Sequence, residues 1–268
     1  MASETDQSVA VKDEDDIDDK EMPLLEHLLE LRNRLMYASG ALLIAFIGCY
    51  FIAEHIFNFL VQPLADVLGS ERRLIYTSLT EVFFTYIKVA FFAGAFLSFP
   101  IIANQLWLFI APGLYKKEKR AMLPFLIATP ILFFVGGAMV YYLIMPLAWS
   151  FFISFETAAA PGQLPIQLEA KVNEYLNLVM RLIFAFGLAF QLPVALTLLA
   201  RVGIVNSTML ATKRKYAVVL VFIAAAVLTP PDLISQIGLA VPILALYEVS
   251  IILARSVEKR RAAEEAET

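Results

Sequence analysis

LLEHLLELRNRL, residues 24–35, decides how the chain is read, because it carries acidic and basic side chains to the edge of a long apolar run. Leu24, Leu28, Leu31 and Leu35 recur three or four residues apart, a spacing that predicts a helix with one apolar stripe. His27, Glu30 and Arg34 fall on a different face. Glu30 precedes Arg34 by four residues, the favourable order for a helical ion pair worth about 0.2–0.5 kcal/mol at a surface. Two readings of these charges stand: an ordinary surface pair, or part of a binding site at a membrane edge.

Beyond residue 35 the chain is dominated by apolar runs of membrane-spanning length. Of 268 residues 60% are apolar and 17% charged, and the mean hydropathy is +0.72. These values exclude a soluble globular domain and predict an all-α polytopic integral membrane protein. The net charge of −4 hides two unlike parts. Residues 1–22 hold nine acids against Lys12 and Lys20, a net −7 that leaves +3 on the remainder. This leader lacks a basic start and a small-residue cleavage site, so it is expected to persist as a disordered acidic tail. A charged tail is expected at 255–268, with the transmembrane domain at 23–254 between them. The single cysteine, Cys49, excludes an internal disulfide framework.

Apolar runs at Leu35–Phe59, Val82–Ala103, Leu123–Leu147 and Leu176–Ala200 each reach the roughly 20 residues needed to cross a hydrocarbon core. Tyr216–Leu228 stops at Thr229-Pro230-Pro231-Asp232 and is succeeded by Leu233–Ala254. Consecutive prolines end a helix, so the last two runs are expected as short helices joined by a tight turn, six spans in all. At 1.5 Å per residue the fifth covers about 20 Å, which predicts a locally thinned bilayer. Sixteen of the 21 Lys and Arg lie in loops on the side of the N-terminus. Only Arg72, Arg73 and Lys171 lie opposite, so both termini are expected in the cytoplasm.

Lys88 and Arg181 fall within spans, where an ionisable group is a functional candidate by default. Each is equally read as snorkelling to the interface, and Lys88 as pairing with an acid such as Glu81. Gln191 lies deeper, two residues before Pro193, and is read either as functional or as hydrogen-bonding glue between helices. Ala90, Gly94 and Ser98 form a small-residue face suited to close packing. Between the second and third spans, Glu118 is the one acid among Lys116, Lys117, Lys119 and Arg120. It is read as a solvated counter-charge or, with Glu30 at the same membrane face, as half of a carboxylate pair. Guanidinium fits a carboxylate bidentately and ammonium does not, so such a pair would tell arginine from lysine.

HLLELRNRL, LWLFIAPGLYKKEKR, AFGLAFQLPV and LTPPDLISQ resemble, in order, the signature blocks of TatC, the receptor subunit of the twin-arginine protein translocase. The resemblance runs from Pro23 to Arg255. It implies a non-enzymatic receptor in the cytoplasmic (inner) membrane that binds twin-arginine signal peptides and exports folded proteins on the protonmotive force. It further implies TatA and TatB type single-span partners, a homo-oligomer within the complex, and neither cofactor, metal nor nucleic acid. By the same resemblance Glu30 and Glu118 match acids that engage the arginine pair, and Arg32, Arg34 and Phe109 match other signal-recognition positions. Pro63 and Asp232 match functional positions on the outer side, and Thr229 and Gln236 match docking positions for partner helices. The chain departs at Gln191, where some members carry Glu. A secondary transporter of a small solute, with Lys88, Arg181 and Gln191 lining its path, is the alternative, weakened by the lack of inverted repeats. An intramembrane hydrolase lacks any matching motif.

Overall fold

Residues 24–69, 73–110, 119–158, 164–229 and 233–266 are described by the computed structural model. They are almost wholly helical, with two isolated β-bridges, Ile75 to Lys171 and Thr157 to Ile166, in the loops. Among the described residues, five helical segments are long and apolar enough to cross a membrane: His27–Phe51, Glu81–Phe109, Leu123–Ile153, Val172–Val202 and Gln236–Arg260.

The first apolar run is not one helix. α1 (Leu24–Phe51) stops and α2 (Ala53–Leu68) begins after a break at Ile52, whose φ and ψ are −114° and 18°. Expected as a single span to Phe59, the run instead divides at Ile52, just before Glu54 and His55. α2 is one-sided, burying Ala53, Leu60, Pro63 and Leu64. α3 (Glu81–Ile110) runs antiparallel to α1. Their contact is close because Gly94 has no side chain: a Cβ there would stand 2.7 Å from the Phe46 backbone. Ala90 and Ser98 are buried on the same face, so the small-residue stripe is a packing surface, as expected.

α4 (Lys119–Met139) contains Pro124 and Pro130 and passes through one π-helical turn, Val140–Ile144, into α5 (Met145–Ile153). The widened turn directs Tyr141 toward α2, where its hydroxyl donates to the Phe59 carbonyl at 2.7 Å. α6 (Val172–Ala189) and α7 (Leu192–Val202) share one span and meet at Phe190–Gln191, the break that Pro193 requires. Gly203, at φ 82°, ends α7 in the left-handed conformation glycine favours. Asn206 caps the short α8 (Ser207–Thr212) by accepting from the Met209 N–H at 2.6 Å.

α9 (Arg214–Leu228) has 15 residues, as short as expected. α10 (Leu233–Ala266) has 34 and does not end at Ala254. The expected short last helix and separate charged tail are thus one continuous helix through Ala266. Glu258 holds the extension by accepting from the Ser207 backbone N–H and hydroxyl, and Tyr247 donates to the Leu210 carbonyl. The main core gathers α2, the π turn, α5 and α6 around Leu64, Val140, Met145, Leu176, Val179 and Phe186, all at or below 1% exposure.

Candidate functional site at the start of α1

The polar face of α1 packs on the end of α3, and the leucine stripe faces outward. Leu28 is 59% exposed and Leu35 61%. In a membrane this is the stable choice, since lipid solvates leucine and protein solvates charge. His27 stacks on Phe109 with ring centroids 4.4 Å apart and planes inclined by 14°. Two turns on, Arg34 donates through Nε to Glu30 Oε1 at 2.8 Å and through Nη2 to the same oxygen, and Arg34 Nη1 reaches Gln105 Oε1 at 3.4 Å. The Arg34 and Glu30 side chains keep 22% and 24% of their surface exposed.

This arrangement leaves Glu30 half used. Both guanidinium contacts fall on Oε1, and among the described residues Oε2 accepts no hydrogen bond. A cleft of about 460 Å³ opens here, lined by Leu29, Glu30, Asn33, Arg34, Tyr37 and Gln105. Tyr37 also lines a second, largely apolar groove of about 520 Å³ that runs along α1 past Gly40 and Ile44 opposite Leu97 and Ile101. The polar cleft and the apolar groove thus adjoin at Tyr37 along one helix pair.

The other expected site residues divide sharply. Arg32 is exposed and touches only Asn33, at 3.5 Å. Glu118 and Asp232 lie outside the described residues. Pro63 is buried inside α2. Thr229 is 8% exposed and donates to the Ala225 carbonyl at 2.9 Å, while Gln236 Nε2 donates to the Phe222 carbonyl at 3.2 Å. Both polar groups thus satisfy backbone next to the α9 to α10 junction. Lys88 does not pair with Glu81. It donates to Asn173 Oδ1 at 2.9 Å, because Glu81 is already taken by the backbone N–H groups of Thr77, Ser78 and Asn173.

Gln191 occupies the kink as a clamp. Its backbone N–H turns to Leu188, so the Gly187 carbonyl has lost its usual partner; Nε2 supplies one at 3.3 Å and also donates to the Thr129 carbonyl at 3.1 Å. Trp107 Nε1 donates to Thr129 Oγ1 at 3.0 Å, tying α3 into the same knot. Gln105 and Tyr37 carry no signal in the sequence that marks them for the site. An amide and a phenol at helix positions are common, and only the pairing of α1 with α3 brings them to Glu30.

The chain is a helical multi-pass membrane protein with a polar cleft where its first membrane helix begins. The family described as "Sec-independent protein translocase protein (TatC)" matches residues 26–242. The Sec-independent protein translocase protein TatC of Magnetococcus marinus is 51% identical over 248 residues, covering 92% of this chain and 89% of that protein. Its counterpart in Escherichia coli strain K12 is 38% identical over 233 residues, covering 87% and 88%. A crystal structure of the twin arginine translocase receptor TatC superposes with a TM-score of 0.75 at 35% identity, covering 87% of this chain and 99% of that one. The chain belongs to the TatC family of Sec-independent protein translocases.

Proposed function

We propose that the protein is the signal-peptide receptor of a twin-arginine translocase. In this reading Glu30 takes one guanidinium of the arginine pair, Glu118 the other, and the apolar part of the signal lies in the groove that continues from Tyr37. The observation that carries it is the order of the two spaces: a cleft holding a carboxylate with one oxygen unbonded among the described residues, then an apolar groove. That order matches a peptide whose arginines precede its apolar run. Arg34 holds Glu30 in position until a ligand guanidinium arrives, and Gln105 is placed to keep Arg34 when the pair is shared.

The same reading places both termini in the cytoplasm, the cleft at the inner leaflet, and the protein in the cytoplasmic membrane. The 15-residue α9 then forms a further, sixth crossing in a pinched bilayer. TatA and TatB type single-span helices, the protonmotive force and further copies of the chain complete the machine, and the reading requires no catalytic group. A solute transporter is disfavoured, because Gln191 lies ten residues, about 15 Å along the helix, from Arg181 and its amide nitrogen is committed to two carbonyls.

Photocrosslinking of the full chain in detergent to signal peptides with Arg-Arg or Lys-Lys tests this. Labelling in α1 and α3 at least tenfold stronger with Arg-Arg is expected. Equal labelling overturns the guanidinium-reading site.

A further inference from the structure

A third space, a groove of about 820 Å³, lies between α1, α3 and α6. Its polar lining is Lys88, Asn177 and Arg181, with no acid among the lining residues. Lys88 and Arg181 are both exposed, and Asn177 stands between them in the lining. Asn173 Oδ1 is already occupied by Lys88 Nζ at 2.9 Å and by Asn177 Nδ2 at 3.1 Å. Glu81, the acid close by, is held by the Thr77, Ser78 and Asn173 backbone N–H groups. Arg181 makes no hydrogen bond or ion pair with any described residue.

The groove is graded along its length. Lys88 lies seven residues, about 10 Å, from the start of α3, and Arg181 nine residues, about 14 Å, from the start of α6. Deeper in, the walls turn apolar: Phe91, Phe92, Ala95 and Phe184. A lone guanidinium on a helix face inside a membrane is expensive unless an anion or water reaches it. The anion at that depth with an apolar body attached is a lipid phosphate, and guanidinium binds phosphate through two parallel hydrogen bonds.

We propose that this groove is a phospholipid site: the phosphodiester of an anionic lipid sits on Lys88 and Arg181, and one acyl chain lies along Phe91, Phe92 and Phe184. The inference does not rest on the signal-peptide reading, since the groove shares no lining residue with the Glu30 cleft. Donors at one end and aromatic rings at the other match an amphiphile better than a free anion, which would gain nothing from the deeper wall.

The delipidated full chain, in a neutral sugar detergent, is titrated with dioleoylphosphatidylglycerol, with dioleoylglycerol and with inorganic phosphate, and adducts are counted by native mass spectrometry. Phosphatidylglycerol is expected to be retained at least tenfold better than dioleoylglycerol. Arg181→Gln should lower that retention about tenfold, and Arg181→Lys much less. Equal retention by Arg181→Gln and wild type overturns the site, as does equal retention of the two lipids. Displacement by inorganic phosphate at equal concentration would instead assign a simple anion site. Displacement by an apolar helical peptide carrying one carboxylate would assign the groove to a partner helix; either result overturns the lipid proposal. Arg181→Gln breaks no bond to a described residue, so loss of fold does not obscure the outcome, and Lys88→Gln supplies an independent second reading.

Discussion

Pro63 leaves a carbonyl without its helical donor, and Tyr141 fills it. A proline at 63 has no N–H for the Phe59 carbonyl four residues earlier, and the Tyr141 hydroxyl donates to that oxygen at 2.7 Å from the π-helical turn. The rings of Phe59 and Tyr141 stack at 4.4 Å, and Tyr175 donates to the adjacent Leu60 carbonyl at 3.0 Å. A position that the family resemblance marks as functional is thereby also a fastener between α2 and the third span.

Tyr141→Phe should orphan the Phe59 carbonyl and cost about 1–3 kcal/mol. Pro63→Ala restores a backbone donor at 63, so the double variant should lose less than the two single losses added together. Thermal unfolding of the four proteins in detergent measures the coupling. Strict additivity would show that Tyr141 does not serve that carbonyl.

Gly94 admits no side chain, since even a methyl group would stand 2.7 Å from the Phe46 backbone. Gly94→Val should part α1 from α3 and cost about 1–3 kcal/mol or more. Gly48→Ala, with nothing within 4 Å of its would-be Cβ, should leave the midpoint within a degree or two. The contrast between them is read by the same unfolding assay.

Gln191→Leu removes two donors from carbonyls at the α6 to α7 kink and should lower stability by about 1–2 kcal/mol. Export of a folded reporter should continue at close to the normal rate. Loss of export in a variant that remains folded would assign the amide a part in transport beyond packing.

Glu30→Gln keeps size and removes charge. It should weaken labelling by an Arg-Arg signal peptide roughly tenfold to a hundredfold, the range of a charge-assisted hydrogen bond of about 1.5–3 kcal/mol. Glu118→Ala should do the same, with membrane insertion intact in both. Labelling unchanged in either variant removes that carboxylate from the site.

Much of the architecture is legible in the sequence because apolar length and proline positions act locally. The four long runs all lie in helices, the fifth is short, and the four signature blocks point to the TatC family to which the chain belongs. The expectations that fail do so through interactions distant in sequence. Nothing near Ile52 in the chain announces the break between α1 and α2, and nothing near Ala254 says that Ser207 will hold Glu258 at the far end of α10. Sequence offers Lys88 the acid Glu81, seven residues away, yet its partner is Asn173, 85 residues on. Of the cleft, Glu30 and Arg34 can be read from their spacing, whereas Gln105 enters only when α3 folds back alongside.

The length of α10 carries a mechanical consequence. Its final 12 residues, past Ala254, add about 18 Å to the helix. Ser207 grips this extension at Glu258, with Oγ to Oε2 at 2.6 Å. A stay fastened there, together with the Tyr247 hydroxyl on the Leu210 carbonyl, binds the 203–213 segment to the last helix at two levels eleven residues apart.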